Sequence, residues 1–109
     1  MRFISAMLAA ATAALTSTVA RGAEPAPIAD GVELLRGAFV PGRQPDGNSV
    51  LLQGVDGWVL IDSGRHRAHT EALLARTDGR LRAVVNTHWH LDHLGGNVLL
   101  RERQPGVVA

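Results

Sequence analysis

The sequence predicts a layered α/β fold. Short apolar runs bounded by turn formers fill the first half of the chain after its leader. A segment with apolar residues at helical spacing then follows, and another apolar run comes after it. The order is strand, strand, strand, helix, strand, helix, and the start of a further strand.

Residues 1–22 read as a secretory signal. Met1-Arg2 gives the positive start, and Phe3 to Leu15 forms an alanine-rich apolar core. Small residues follow, with cleavage expected after Ala20, Gly22 or Ala23; the first two leave small residues at both critical positions. The alternative, an uncleaved membrane anchor, is disfavoured. Ser5, Thr12, Thr16, Ser17 and Thr18 weaken the stretch, which is short for a span of about 20 residues. Export to a bacterial periplasm is therefore expected, with no stable membrane anchor after cleavage.

Residues 23–31 contain Pro25, Pro27 and Gly31 and read as an irregular lead-in. The domain proper is expected over 32–109. Val32 to Phe39 is the first predicted strand. Pro41 to Asn48 is dense in turn formers and reads as a loop, either bordering a groove or simply facing solvent. Ser49 to Gln53 and Trp58 to Ile61 are apolar strands, joined at Val55-Asp56-Gly57, where Asp-Gly is a hairpin signal. A helix is expected from about Arg67 to Arg76, with Ala68, Ala72, Leu73 and Ala75 as its apolar stripe. Gly79 suits its end. Leu81 to Asn86 is a buried strand, and a second helix spans about Gly96 to Arg103 before Pro105-Gly106. Val107-Val108-Ala109 resembles the first half of another strand.

Composition narrows the partners. The 109 residues carry a formal charge of +1, which gives no ground for a nucleic-acid partner. No cysteine is present, so disulfides, thiolate zinc ligands and a lipidated cysteine anchor are excluded within this chain.

The informative segment lies between the last predicted strand and helix. Three of the five histidines fall within His88-Trp89-His90-Leu91-Asp92-His93. In an extended segment, His88 and His90 point to the same side and can share a cation. Asp92 and His93 follow in a turn and can converge on a second position nearby. Imidazole and carboxylate suit zinc, and also iron or manganese. Gly95-Gly96 allows tight folding beneath the cluster. A metal-free surface loop would have to gather three imidazoles and a carboxylate by chance. His66 and His69, at the start of the first helix, are expected to be exposed. Trp89 is expected to point away from the metals and pack. Thr87 is expected to support the strand end.

The run Thr87-His88-Trp89-His90-Leu91-Asp92-His93-Leu94-Gly95-Gly96 resembles the His-x-His-x-Asp-His signature of the metallo-β-lactamase superfamily. Val59-Leu60-Ile61-Asp62-Ser63-Gly64 resembles its first motif, an apolar strand closing on Asp-Thr/Ser-Gly. The likeness covers roughly residues 32 to 109. It implies the N-terminal half of an αββα sandwich made of two similar halves. It implies His88 and His90 as ligands of a first zinc, and Asp92 and His93 as ligands of a second. Asp62 would hold the metal-binding loop through hydrogen bonds. A hydroxide bridging the ions, oriented by Asp92, would attack an ester, lactam or thioester bond of a small-molecule substrate.

The resemblance also places further ligands in later segments: another histidine, a bridging aspartate and a last histidine. After His93 the chain has no histidine, aspartate or cysteine, and Glu102 is its only carboxylate side chain. The 109-residue chain is therefore expected to be a fragment with poor turnover of its own. The competing reading is a non-catalytic metal-binding or interaction module that pairs with a complementary half or with itself.

Overall fold

The computed structural model describes residues 23–107. The signal segment, and Val108 and Ala109 of the last expected strand, lie outside the described residues. The elements run β1 (Ala26–Ala29), β2 (Val32–Leu35), β3 (Ser49–Gln53), β4 (Trp58–Ile61), α1 (Arg67–Thr77), β5 (Leu81–Val85), α2 (Leu91–Leu94) and α3 (Asn97–Arg103). One five-stranded sheet holds the strands in chain order. The first three pairings are antiparallel, while β4 and β5 pair in parallel. A parallel pair needs a crossover, which α1 supplies.

The lead-in is not wholly irregular. Ala26–Ala29 forms β1 and pairs with β2 across Asp30-Gly31, where Gly31 takes a left-handed φ of 66°. The Asp-Gly pair is a hairpin signal here too. The first expected strand is shorter than its apolar run suggests. It stops at Leu35, because Gly37 to Asn48 peels away toward the histidine cluster.

The sheet faces divide by alternation. Leu35, Leu51, Trp58, Leu60, Leu81 and Val84 pack with Leu73 of α1, Leu100 of α3 and Val107 to form the core. Arg76 of α1 ties the helix to β2 by a bidentate pair with Glu33 and lies 4.7 Å over the Trp58 ring. The Glu33 hydrogen bonds hold the Arg76 guanidinium pKa above its usual value.

The expected stripe of α1 is only partly the buried one: Leu73 is in the core and Ala72 packs half-buried against it. The buried residues are His69, Thr70, Leu73 and Thr77, with Ala68 and Ala75 exposed. Polar groups are admitted because each finds a partner. Thr70 Oγ1–H donates to Ser63 O at 2.8 Å, and Thr77 Oγ1–H donates to Leu74 O at 3.0 Å. His69 Nε2 and Ser49 Oγ share a hydrogen bond of 2.8 Å. His69 is thus buried rather than exposed, and burial first, with nearby His66, lowers its pKa against an opposing pull from Asp46.

Candidate metal centre

The parallel pairing of β4 and β5 brings their C-terminal ends together. Asp62 leaves β4 with φ 61°, a conformation that aspartate tolerates better than most residues. Its N–H donates to Val85 O at 2.9 Å, so the carboxylate turns toward the segment that leaves β5. Thr87 answers twice: its N–H donates to Asp62 Oδ1 at 2.8 Å, and its hydroxyl to Oδ2 at 2.7 Å. Thr87 therefore does more than support a strand end.

Those bonds fix two imidazoles. With the Thr87 hydroxyl proton committed to Asp62, Thr87 Oγ1 accepts from His88 Nδ1–H at 2.8 Å. His93 Nδ1–H donates directly to Asp62 Oδ2 at 2.8 Å. Both rings are left with Nε2 as the free position, the arrangement found where a carboxylate orients metal-binding histidines. Asp62 itself is buried. Desolvation works against its charge, but the Thr87 and His93 hydrogen bonds prevail and hold its pKa below the usual carboxylate value.

Ring centroids of His88 and His90 lie 4.6 Å apart, and those of His88 and His93 lie 4.1 Å apart. Donor atoms of Asp62, His88 and His93 fall within 4.8 Å of one another. Asp62 joins that group through hydrogen bonds that already engage both its oxygens, so orientation suits it better than ligation. Asp92 Oδ2 stands 3.3 Å from His93 Nε2. His93 thus stands between two carboxylates, with Nδ1 on Asp62 and Nε2 facing Asp92 Oδ2, a position that a proton or a metal cation can fill. The spacing also fits one tetrahedral zinc, given bonds of about 2.0–2.1 Å to nitrogen and 2.0–2.2 Å to oxygen. The donor set therefore fits a metal ion.

Asp92 and His93 belong to the short α2, which begins after the extended His90. A partly buried polar network seats it. Ser63 N–H donates to His93 O at 2.7 Å, and Asn86 Nδ2–H to the same oxygen at 3.2 Å. Ser63 Oγ–H and Asn97 Nδ2–H extend the network, each over 2.7 Å, to Asn97 Oδ1 and Asn86 Oδ1. Gly95 and Gly96 have ordinary helical φ values of −58° and −72°, so tight turning is not their role. Gly96 is needed for closeness: a Cβ there would stand 2.3 Å from Thr70 Oγ1 and 2.4 Å from Ser63 O.

Trp89 is 78% exposed and meets His90 edge-on at 4.5 Å, so it points outward without entering the core. The loop from Pro41 to Asn48 has a buried end at Asp46-Gly47. Asp46 Oδ1 accepts from Arg65 N–H and His66 N–H, both at 2.7 Å, at the start of α1. His66 Nε2–H donates to Gln44 O at 2.6 Å, so this half-buried histidine faces the loop. Sequence reasoning missed Asp46, Asn86 and Asn97. Their contacts lie 7 to 34 residues apart along the chain and leave no local pattern.

The fold and the donor cluster together define a metallohydrolase-type scaffold. The chain belongs to the Metallo-beta-lactamase superfamily, whose profile matches residues 42–109, more than half of it. Among solved structures, a metallo-β-lactamase from Hirschia baltica is 26% identical with a TM-score of 0.65, covering 80% of this chain and 42% of that one. A metallo-β-lactamase from Pontibacter korlensis is 28% identical with a TM-score of 0.62, covering 74% of this chain and 40% of that one. A hydroxyacylglutathione hydrolase of Gloeobacter violaceus is 43% identical over 49 residues, 45% of this chain and 19% of that enzyme. An atrochrysone carboxyl ACP thioesterase of Aspergillus fumigatus is 50% identical over 42 residues, 35% of this chain and 13% of that enzyme. The chain thus spans well under half the length of these relatives.

Proposed function

We propose that the chain is the N-terminal, metal-binding part of an exported zinc-dependent hydrolase acting on an ester, lactam or thioester. The observation that carries this reading is the pairing of His93 Nε2 with Asp92 Oδ2 at 3.3 Å while Nδ1 is tied to Asp62. His88 and His90 would hold one ion, and Asp92 and His93 a second. When bound, zinc supplies Lewis acidity and a water of lowered pKa. Asp62, through Thr87 and directly, keeps the His88 and His93 rings in one orientation. Asp92 would additionally orient the attacking water. Relatives named as a thioesterase, a hydroxyacylglutathione hydrolase and a metallo-β-lactamase support an acyl carbonyl as the target. The leader supports export, which favours a lactam or another periplasmic ester.

The test is metal content with hydrolysis. Full-length protein should bind zinc, cleave at least one of a β-lactam, a lactone and a thioester, and lose that activity with a chelator. Binding of no zinc by a folded preparation would overturn the reading.

A second reading, a non-catalytic metal-binding module, is favoured by one observation. Catalytic zinc usually keeps three protein ligands, whereas the first ion is assigned only His88 and His90 among the described residues. Weak binding of one ion by the 109-residue chain would support it. Two tightly bound ions would demand donors from a second chain.

A further inference from the structure

The loop before β3 ends against the metal-binding edge of His93, and the contact is made by a residue without a side chain. Gly47 N–H donates to Asp92 O at 2.8 Å. A Cβ built on Gly47 would stand 2.6 Å from His93 Cε1, 2.7 Å from His93 Nε2 and 2.8 Å from Asp92 O. Real Cβ atoms do not approach so closely, and an imidazole tied to Asp62 by a 2.8 Å bond has little room to withdraw. Gly47 is not among the described glycines with left-handed φ, which are Gly31, Gly42, Gly57, Gly64 and Gly79. Glycine therefore serves space here, not backbone conformation.

The turn is also anchored from outside. Asp46 is buried and accepts two backbone N–H groups at the start of α1. Asp46 N–H donates to Ala38 O at 3.3 Å, and Gly37 N–H donates to Asn48 Oδ1 at 2.9 Å. Two faces of His93 are thus defined by separate parts of the chain: Asp62 holds Nδ1, and the backbone of Gly47 lies along Cε1 and Nε2.

We infer that Gly47 is a positioning residue: the missing side chain lets the Asp46–Gly47 turn seat His93 with its Nε2 beside Asp92. The consequence for metal rests on the function proposed above; the seating of the ring does not. A side chain at position 47 would displace the ring or occupy the space that an ion shared by Asp92 and His93 needs.

The experiment compares Gly47→Ala with the parent and with Gly106→Ala, where an added Cβ meets nothing within 4 Å. Full-length protein is used throughout, and circular dichroism checks folding. Long-range proton–nitrogen correlation on metal-free samples reads the ring nitrogens of His93. Parent and Gly106→Ala should share one set of His93 ring signals with Nδ1 hydrogen-bonded, and Gly47→Ala should lose that pattern. Cobalt titration followed by visible absorption should show affinity falling about tenfold or more in Gly47→Ala alone. Parent-like His93 signals in folded Gly47→Ala would overturn the inference. A parent that binds no cobalt would sink the metal reading while the ring signals still decided this one. If Gly47→Ala does not fold, Asp46→Ala decides: a changed His93 pattern supports the seating, and an unchanged one overturns it.

Discussion

Asp62 combines a conformational demand with a chemical one. Its left-handed φ of 61° suits aspartate or asparagine, and its carboxylate serves Thr87 and His93 together. Asp62→Ala should strand the Thr87 N–H and release both rings. Urea unfolding should show a loss of roughly 1–3 kcal/mol. Zinc affinity, measured by competition with a chromophoric chelator, should fall about 10–100-fold. The depressed Asp62 pKa contributes stability above pH 3.8, lost as pH falls through the folded value. His69 acts in a separate window. Its folded pKa lies below 6.5, so the unfolded chain binds the proton more readily and stability declines as pH falls below 6.5. His69→Gln can keep a bond to Ser49 and should flatten that decline, as read from melting temperature against pH. Parent-like pH dependence in the variant would count against this assignment.

At the scale of elements, α1 tests which face is buried. Leu73→Ala should cost about 2–5 kcal/mol, because Leu73 is almost fully buried in the core. Ala75→Ser, on the exposed side, should stay within about 0.5 kcal/mol. Urea denaturation of both decides the matter. The sequence misled here because hydrophobic periodicity counts alanine as core and histidine or threonine as surface. The real stripe of His69, Leu73 and Thr77 is partly polar, and its partners on β3 and α1 are visible only after folding. By contrast β3, β4 and β5 were legible, because each apolar run lies between turn formers. The donor cluster was legible for the same local reason: His88, His90, Asp92 and His93 adjoin in sequence. What packs against it was not. Asp46 and Gly47 reach it across a loop whose composition signals turns and nothing about their destination.

Across the whole molecule, the sheet has an apolar face that the core does not use. Val32, Leu52, Val59 and Ala83 form one cross-strand row, and Leu34, Val50, Ile61 and Val85 form the next. Leu52 and Val85 are exposed and the others half-buried, while α1 and α3 contribute their buried leucines to the opposite face. In an αββα sandwich such a face meets a second sheet. A preparation limited to these 109 residues should therefore self-associate. Sedimentation should reveal concentration-dependent species, and replacing Leu52 and Val85 together by lysine should reduce them. A monomer at every concentration would contradict this account.

The parallel seam between β4 and β5 has a consequence for folding fidelity. Asp62 and Thr87 meet because Ile61 pairs with Val85. Sliding one strand by a single residue would turn every side chain to the other face and part the carboxylate from its ring partners. Metal captured by the histidines would thus act as a lock on strand register. It would favour the correct pairing by about 2.7 kcal/mol at a free concentration of a hundred times the dissociation constant. Amides of β5 should accordingly exchange with solvent more slowly in zinc than in chelator, and equal rates would show that the lock is absent.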